Sequence, residues 1–501
     1  MSRIALLLAL LAPAAALAGP PAIAQKTLPN GLTVLVAEDH SMPLVTVEIA
    51  FKNGSMTEPP ELSGLSHLYE HMFFKANAAL PDQESWLARA RALGLSWNGT
   101  TNTERVNYFF TTTTGHFKDA MVFMRDAIVS PLFDAKEFER ERVVVTGEID
   151  RNESNPFYFF NHAVQQRMFW KYPTRKDPLG SRESVLTATV EKMRTIQKRY
   201  YVPNNGALVI TGDVSADAVF AMAGELYAGW ARGEDPFVKF PLVKHPPLPY
   251  TSVVLVEQPV QAPAVSLNWH GPSVVPQELE STYAADLISF VMAEPSSKWQ
   301  RDLVDSGACA GAAPPNWFTQ QNVGPINVTL QAAPEKLDGC IQAALAELPK
   351  LKDPAYLTDA ELANAAFHAE VDQTLQRERS SALSGNLTFW WTVSSLDYYL
   401  GYVDALKKTS RAQIAHYVDT YILGKPMVLG ALVSPEMVKE KHLDLAHFEA
   451  LVGGKPWVAP EPKEGEAAAK PAAAAAGKAA KKDAKAPVKA GPGAKKKEVS
   501  K

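Results

Sequence analysis

His67-Leu68-Tyr69-Glu70-His71 is the segment whose residue types and spacing most directly specify chemistry. On a helix, positions i, i+3 and i+4 share one face, so two imidazoles and a carboxylate converge. Two His nitrogens at that separation suit a tetrahedral zinc ion, and the carboxylate then stands beside the open coordination position. The order His-x-x-Glu-His is the inverted form of the zinc-peptidase helix motif, in which the Glu is a general base and not a ligand. A catalytic zinc site needs a third protein ligand. The strongest candidate is Glu148, in a helix expected from its cap at Asp134 through Ile149. Glu141, two turns earlier on the same face, is placed to orient a ligand from behind. Acidic residues are ordinary in so charged a helix, and the pattern alone does not single Glu148 out. Gly147, directly before it, is an unfavourable helix residue that either lets a neighbour approach closely or is simply tolerated.

The elements that must position these groups are partly readable. Apolar residues alternate in the strand period over 32–36 and 45–51, with Pro29-Asn30-Gly31 as a turn before them. Helical periodicity covers 64–76 and 117–131. Two stretches echo each other: Ile196 to Tyr201 leads into the apolar run Ala207 to Ile210, and Ile414 to Val418 leads into Met427 to Val433. Both are helix, break and strand in the same order, which indicates an internal duplication. A Pro-rich stretch over 236–250 reads as a linker between a first domain at 25–235 and a second at 251–457. Strands and helices do not alternate strictly, so each half is expected to be α+β, with helices packed on a mostly antiparallel sheet. Trp390-Trp391 is expected to pack within the second half.

The ends differ from the body. Residues 1–24 have a basic start, an apolar run and two small-residue cleavage sites, Ala16-Leu17-Ala18 and Ala22-Ile23-Ala24, the pattern of a secretory signal peptide of bacterial style. That implies a secreted, periplasmic protein. Residues 458–501 are mostly Ala, Lys, Pro and Gly and are expected to be disordered. The part of this tail from 461 onward carries eleven Lys against five acidic residues, or +6, so the formal charge of −4 leaves the remainder at −10. An acidic body argues against nucleic-acid binding as the main role, and no transmembrane span follows the N-terminus. Cys309 and Cys340, the two cysteines, either pair or stay free.

The segment Gly64 to Lys75 resembles the insulinase/pitrilysin family of inverted-motif metallopeptidases, whose two-domain members include the β subunit of the mitochondrial processing peptidase. Leu28-Pro29-Asn30-Gly31-Leu32-Thr33-Val34 is similar to that family's first strand, and Tyr201-Val202-Pro203-Asn204 to its late helix-to-strand passage. The resemblance implies His67, His71 and Glu148 as ligands of one zinc ion per chain, Glu70 as catalytic base and Glu141 as the supporting carboxylate. It implies Asn98 and Tyr108 as substrate-binding residues at the active-site edge strand. It implies two duplicated domains forming half of a clamshell, which hydrolyses extended peptides within a closed chamber. Where the family often carries a substrate-gripping Arg and Tyr in its second half, this chain reads Leu303 and Ala310. A dimer with a same-fold subunit that supplies the missing pair is therefore expected. The alternative that the resemblance allows is a non-catalytic scaffold subunit of the same fold.

Overall fold

A computed structural model describes residues 22–460. Most of the expected signal peptide, residues 1–21, and nearly all of the basic tail, 461–501, lie outside the described residues.

The first half holds strands β1 (Ile23–Thr27), β2 (Thr33–Glu38), β3 (Leu44–Phe51), β4 (Ser96–Thr101), β5 (Val106–Thr113) and β6 (Gly206–Gly212). They form one sheet in the order β1-β2-β6-β3-β5-β4. The second half holds β7 (Ser252–Glu257), β8 (Ala264–His270), β9 (Gly311–Trp317), β10 (Pro325–Gln331) and β11 (Val428–Val433), ordered β7-β11-β8-β10-β9. The late strand of each half inserts at the same place. β6 pairs in parallel with β2 and antiparallel with β3, as β11 does with β7 and β8. The echo in the sequence is thus a repeated topology, and the fold is α+β with two similar halves. Residues 236–251 connect them through one short helix, Pro236–Lys239. Ile23 and Ala24, part of the second candidate cleavage site, pair with Ala37 and Val36 in the β1–β2 ladder.

The helices that matter for the site are α1 (Leu65–Phe73), α2 (Ala135–Glu153), α3 (Pro156–Met168), α4 (Val190–Tyr200), α5 (Ser380–Val393) and α6 (Arg411–Tyr421). Helices α1 and α4 pack in the first core, and α2 packs on α1 and adds Phe138, Val145 and Ile149 to that core.

The two halves exchange helices. From the first half, α3 buries Phe160, Val164 and Met168 on Val254, Ala264, Val428 and Leu432 of the second sheet. A Cβ on Gly430 would lie 2.4 Å from Val164, so this approach needs glycine. From the second half, α5 lays Leu383 and Leu387 on Leu35, Ala37, Ala207 and Val209 of the first sheet. Its polar residues bond there too. The Ser380 and Thr46 hydroxyls are 2.9 Å apart, and Thr388 donates to buried Glu48 at 2.6 Å. The Trp390-Trp391 pair is corrected accordingly. Trp390 stacks on Tyr398 within the second half, whereas Trp391 lies under the Lys52 ammonium of the first half.

Cys309 and Cys340 are paired in the second core, with Cα atoms 5.0 Å apart and 31 residues of separation. Closing a loop of that length removes unfolded-state entropy worth on the order of 3–4 kcal/mol. The double substitution Cys309→Ala, Cys340→Ala is expected to lower unfolding stability by about that amount in a urea titration. Reductant should destabilise the wild type similarly and leave the variant unaffected.

Candidate active site

Helix α1 begins where the chain cannot carry side chains. Gly64 has φ +80°, and a Cβ on it would lie 2.7 Å from the Leu179 carbonyl oxygen. The buried carboxylate of Glu58 accepts from the backbone N–H of Gly64 at 2.7 Å and of Ser66 at 2.5 Å, satisfying donors at the helix start. Burial pushes its pKa up to about 7 against those hydrogen bonds. The apolar face of α1 is fixed by aromatic stacking: Tyr69 on Tyr201 at 3.8 Å between centroids, and Phe73 on Tyr108 at 3.9 Å. With that face pinned, the other face presents His67, Glu70 and His71 together.

Asp134 caps α2 by accepting from the N–H groups of Lys136 and Glu137. This helix brings Glu148 to the two imidazoles. Its Oε2 lies 3.5 Å from His67 Nε2 and 3.8 Å from His71 Nε2. All three potential ligand atoms fall within 4.8 Å of one another, the one such group of three or more among the described residues. Zinc–ligand bonds of 2.0–2.2 Å in a tetrahedron place neighbouring donors about 3.4 Å apart. The two carboxylate–imidazole separations are within a few tenths of an ångström of that, so a two-imidazole, one-carboxylate set fits zinc in both chemistry and spacing.

The surroundings tune these groups. Burial, helped by the adjacent His71, lowers the His67 pKa to about 4, so at neutral pH its ring is uncharged and free to ligate. His67 Nδ1 is buried without a hydrogen-bond partner. His71 Nδ1 bonds Glu141 Oε2 at 2.9 Å, which turns Nε2 toward Glu148, and Lys75 holds the other Glu141 oxygen at 2.7 Å. Burial alone would raise the Glu141 pKa, but the bonds from His71 and Lys75 outweigh it and hold the carboxylate below its ordinary value. Burial raises the Glu70 pKa, while the Thr101 hydroxyl and His71 oppose the rise and Glu148 adds to it.

Thr101 donates to Glu70 Oε2 at 2.7 Å, joining the helix to β4. Among the described residues, strand β4 pairs only with β5 and is the outer edge of its sheet. At Gly99 a Cβ would lie 2.9 Å from Glu70 Cγ, so the strand can pass this close only as glycine. Asn98 is exposed on this edge, its side chain turned back to the N–H of Gly99. Tyr108 is corrected. It sits one strand inward on β5 and is fully buried, stacked on Phe73 with its hydroxyl 3.3 Å from that of Tyr201. It supports α1 and has no surface to offer a substrate. The Thr101 bond and the Gly99 approach are site features that the sequence reading did not single out. A glycine in a strand next to a motif helix was the available signal.

Residues 33–180 match the family model described as insulinase (peptidase family M16), and residues 187–367 match that of the peptidase M16 inactive domain. The chain belongs to the M16 family. His67, His71 and Glu148 all fall within the first M16 match. Zinc protease PqqE of Helicobacter pylori is 25% identical over 411 residues, covering 79% of this chain and 90% of that protein. An insulin-degrading enzyme homolog of Dictyostelium discoideum is 27% identical over 237 residues, but only 24% of its length is matched. Among solved structures, a protease from Helicobacter pylori superposes with a TM-score of 0.75 at 21% identity, over 82% of this chain and all of that one. The periplasmic protease PqqL from Escherichia coli gives 0.66 at 17% identity, and this chain spans 52% of it.

Gly147 is exposed, and a Cβ there would meet nothing within 4 Å. No neighbour requires it. Gly147→Ala is expected to stabilise α2 by up to about 1 kcal/mol, read as a raised melting temperature with unchanged zinc content.

Proposed function

We propose that this chain is a secreted zinc metalloendopeptidase that cleaves extended peptides or unfolded segments. The observation that carries the reading is the convergence of His67, His71 and Glu148 with Glu70 on the same helix face. The chemistry a bound zinc ion supplies is Lewis acidity, at the scissile carbonyl oxygen and at the attacking water. His67, His71 and Glu148 hold the ion, and Glu141 fixes the orientation of the His71 ring. Glu70 takes up the proton of the attacking water and passes it to the leaving amine nitrogen. The open edge of β4, with Asn98, binds the substrate main chain by strand addition, which reads backbone more than side chains.

Leu303 is fully buried in the second core and Ala310 lacks any gripping group. We therefore expect a same-fold subunit to complete a clamshell chamber around the site. Secretion to a periplasm accords with the apolar N-terminus and with the Cys309–Cys340 pair, since disulfides persist in oxidising compartments. Cleavage after Ala18 would leave β1 whole. No helix among the described residues is long and apolar enough to cross a membrane. The scaffold alternative is favoured only by the lost Arg and Tyr, and the complete ligand, base and support set weighs against it.

The test is hydrolysis of a quenched fluorescent peptide, with native mass measured on the same sample. Activity should appear in an assembly of at least two chains, vanish with a chelator and return with zinc. A zinc-loaded assembly inert toward all extended peptides would favour the scaffold.

A further inference from the structure

The hairpin turn after β4 meets the turn between β9 and β10, and charged residues tie them together. Buried Glu104 accepts from the backbone N–H of Gln321 at 2.6 Å and of Asn322 at 3.1 Å. Buried Lys176 donates to the Gln320 side chain and to the carbonyls of Asn322 at 2.5 Å and Val323 at 3.0 Å. Arg105 donates to the Gly385 carbonyl at 2.7 Å and the Thr388 hydroxyl at 2.9 Å of α5. These three charges are engaged in holding the halves together.

Between the two turns lies a cleft of about 390 Å³, flanked by the end of α3 and by α5. That volume falls in the range of ligand-binding clefts, roughly 300–1,000 Å³. The groups left to face it are neutral. Asn316 and Asn327 stand directly opposite each other on β9 and β10, and both are exposed, as is Asn102 across the cleft. Their amides both donate and accept, as the backbone of an extended peptide does. Phe318 exposes 58% of its surface at the same place, an apolar face that a binding partner would cover. The location links it to the chemistry. Asn102 follows directly on Thr101, which bonds Glu70, so the cleft opens one residue beyond the end of the β4 edge.

We propose that this cleft is a second peptide subsite, which takes an uncharged stretch of the extended substrate and seats one aromatic or large aliphatic side chain against Phe318. The proposal rests on the peptidase reading. A charged substrate residue is disfavoured here because the cleft's own charges are already engaged and would leave it unpaired.

The test uses the full-length Glu70→Gln protein, with zinc, and a set of dye-labelled peptides of Ala, Gln, Ser and Gly in which a single Phe is walked along the chain. By fluorescence anisotropy, one Phe position should bind about tenfold more tightly than the all-neutral control lacking Phe. Adding Phe318→Ala should erase that difference. Phe367→Ala, an exposed ring on the helix Asp359–Leu375, should leave it intact. A preference that survives Phe318→Ala, or no preference at any position, overturns the subsite. Parallel hydrolysis of the same peptides by the wild type and by a Phe318→Ala single variant separates the two claims. Cleavage indifferent to Phe318 rejects the subsite alone, whereas no cleavage by zinc-loaded protein rejects the peptidase reading beneath it.

Discussion

Glu70→Gln is expected to abolish measurable peptide hydrolysis while leaving zinc at one ion per chain. The amide is isosteric with the carboxylate and can still accept the Thr101 hydroxyl that Glu70 Oε2 accepts at 2.7 Å. It cannot take up a proton. A positioned general base contributes about 10²–10⁴-fold, so kcat should fall by at least that factor. Because the lost interaction is made in the transition state, KM should change little. Glu70 contributes no ligand atom to the His67–His71–Glu148 group, so metal affinity should be preserved. Turnover within tenfold of wild type would move the base to another residue. Loss of zinc together with activity would make Glu70 a ligand instead.

The second large effect is a contrast between two glutamates of one helix. Glu148→Ala removes the carboxylate that lies 3.5 and 3.8 Å from the two imidazoles and leaves a two-ligand site. Glu141→Gln leaves all three ligands but replaces the charged acceptor at His71 Nδ1. Supporting groups of that kind are worth about 10–100-fold in metal affinity. Competition with a chromogenic chelator should therefore rank wild type above Glu141→Gln and that variant well above Glu148→Ala. Excess zinc should restore hydrolysis to Glu141→Gln and not to Glu148→Ala. Equal affinities for the two variants would contradict the distinction between ligand and support. Both side chains stand on one face of α2 while Phe138, Val145 and Ile149 carry its packing, so thermal unfolding of the metal-free proteins should separate the variants little.

The two glutamates also mark the limit of what the sequence discloses. His67, Glu70 and His71 are legible because helical periodicity is local: three spacings within one turn and a half fix a common face. Glu148 is not, because a carboxylate in a charged helix looks the same whether it faces water or two imidazoles. Only the packing of α2 over α1 separates the cases. The repeated helix-break-strand passage at 196–212 and 414–433 was readable for a similar local reason, and it became the inserted β6 and β11. The exchange of α3 and α5 was not. The periodicity of α5 says that one face is apolar, but not that Leu383 and Leu387 cover a sheet more than 150 residues away in sequence. Tyr108 illustrates the opposite error. The family resemblance implies a substrate-binding role for it, yet strand alternation and its place on β5 turn it into the core against Phe73. The pairing of Cys309 with Cys340 depends on the packing of the helix Leu337–Glu347 against β10 and the segment Arg301–Asp305, a tertiary fact that two isolated cysteines do not encode.

The measurement that bears most directly on the account is anomalous diffraction at the zinc absorption edge from crystals of the zinc-loaded wild type. A single peak per chain, about 2.0–2.2 Å from His67 Nε2, His71 Nε2 and a Glu148 oxygen, is the predicted result. A peak bound elsewhere, or none at those three side chains under saturating zinc, would contradict it.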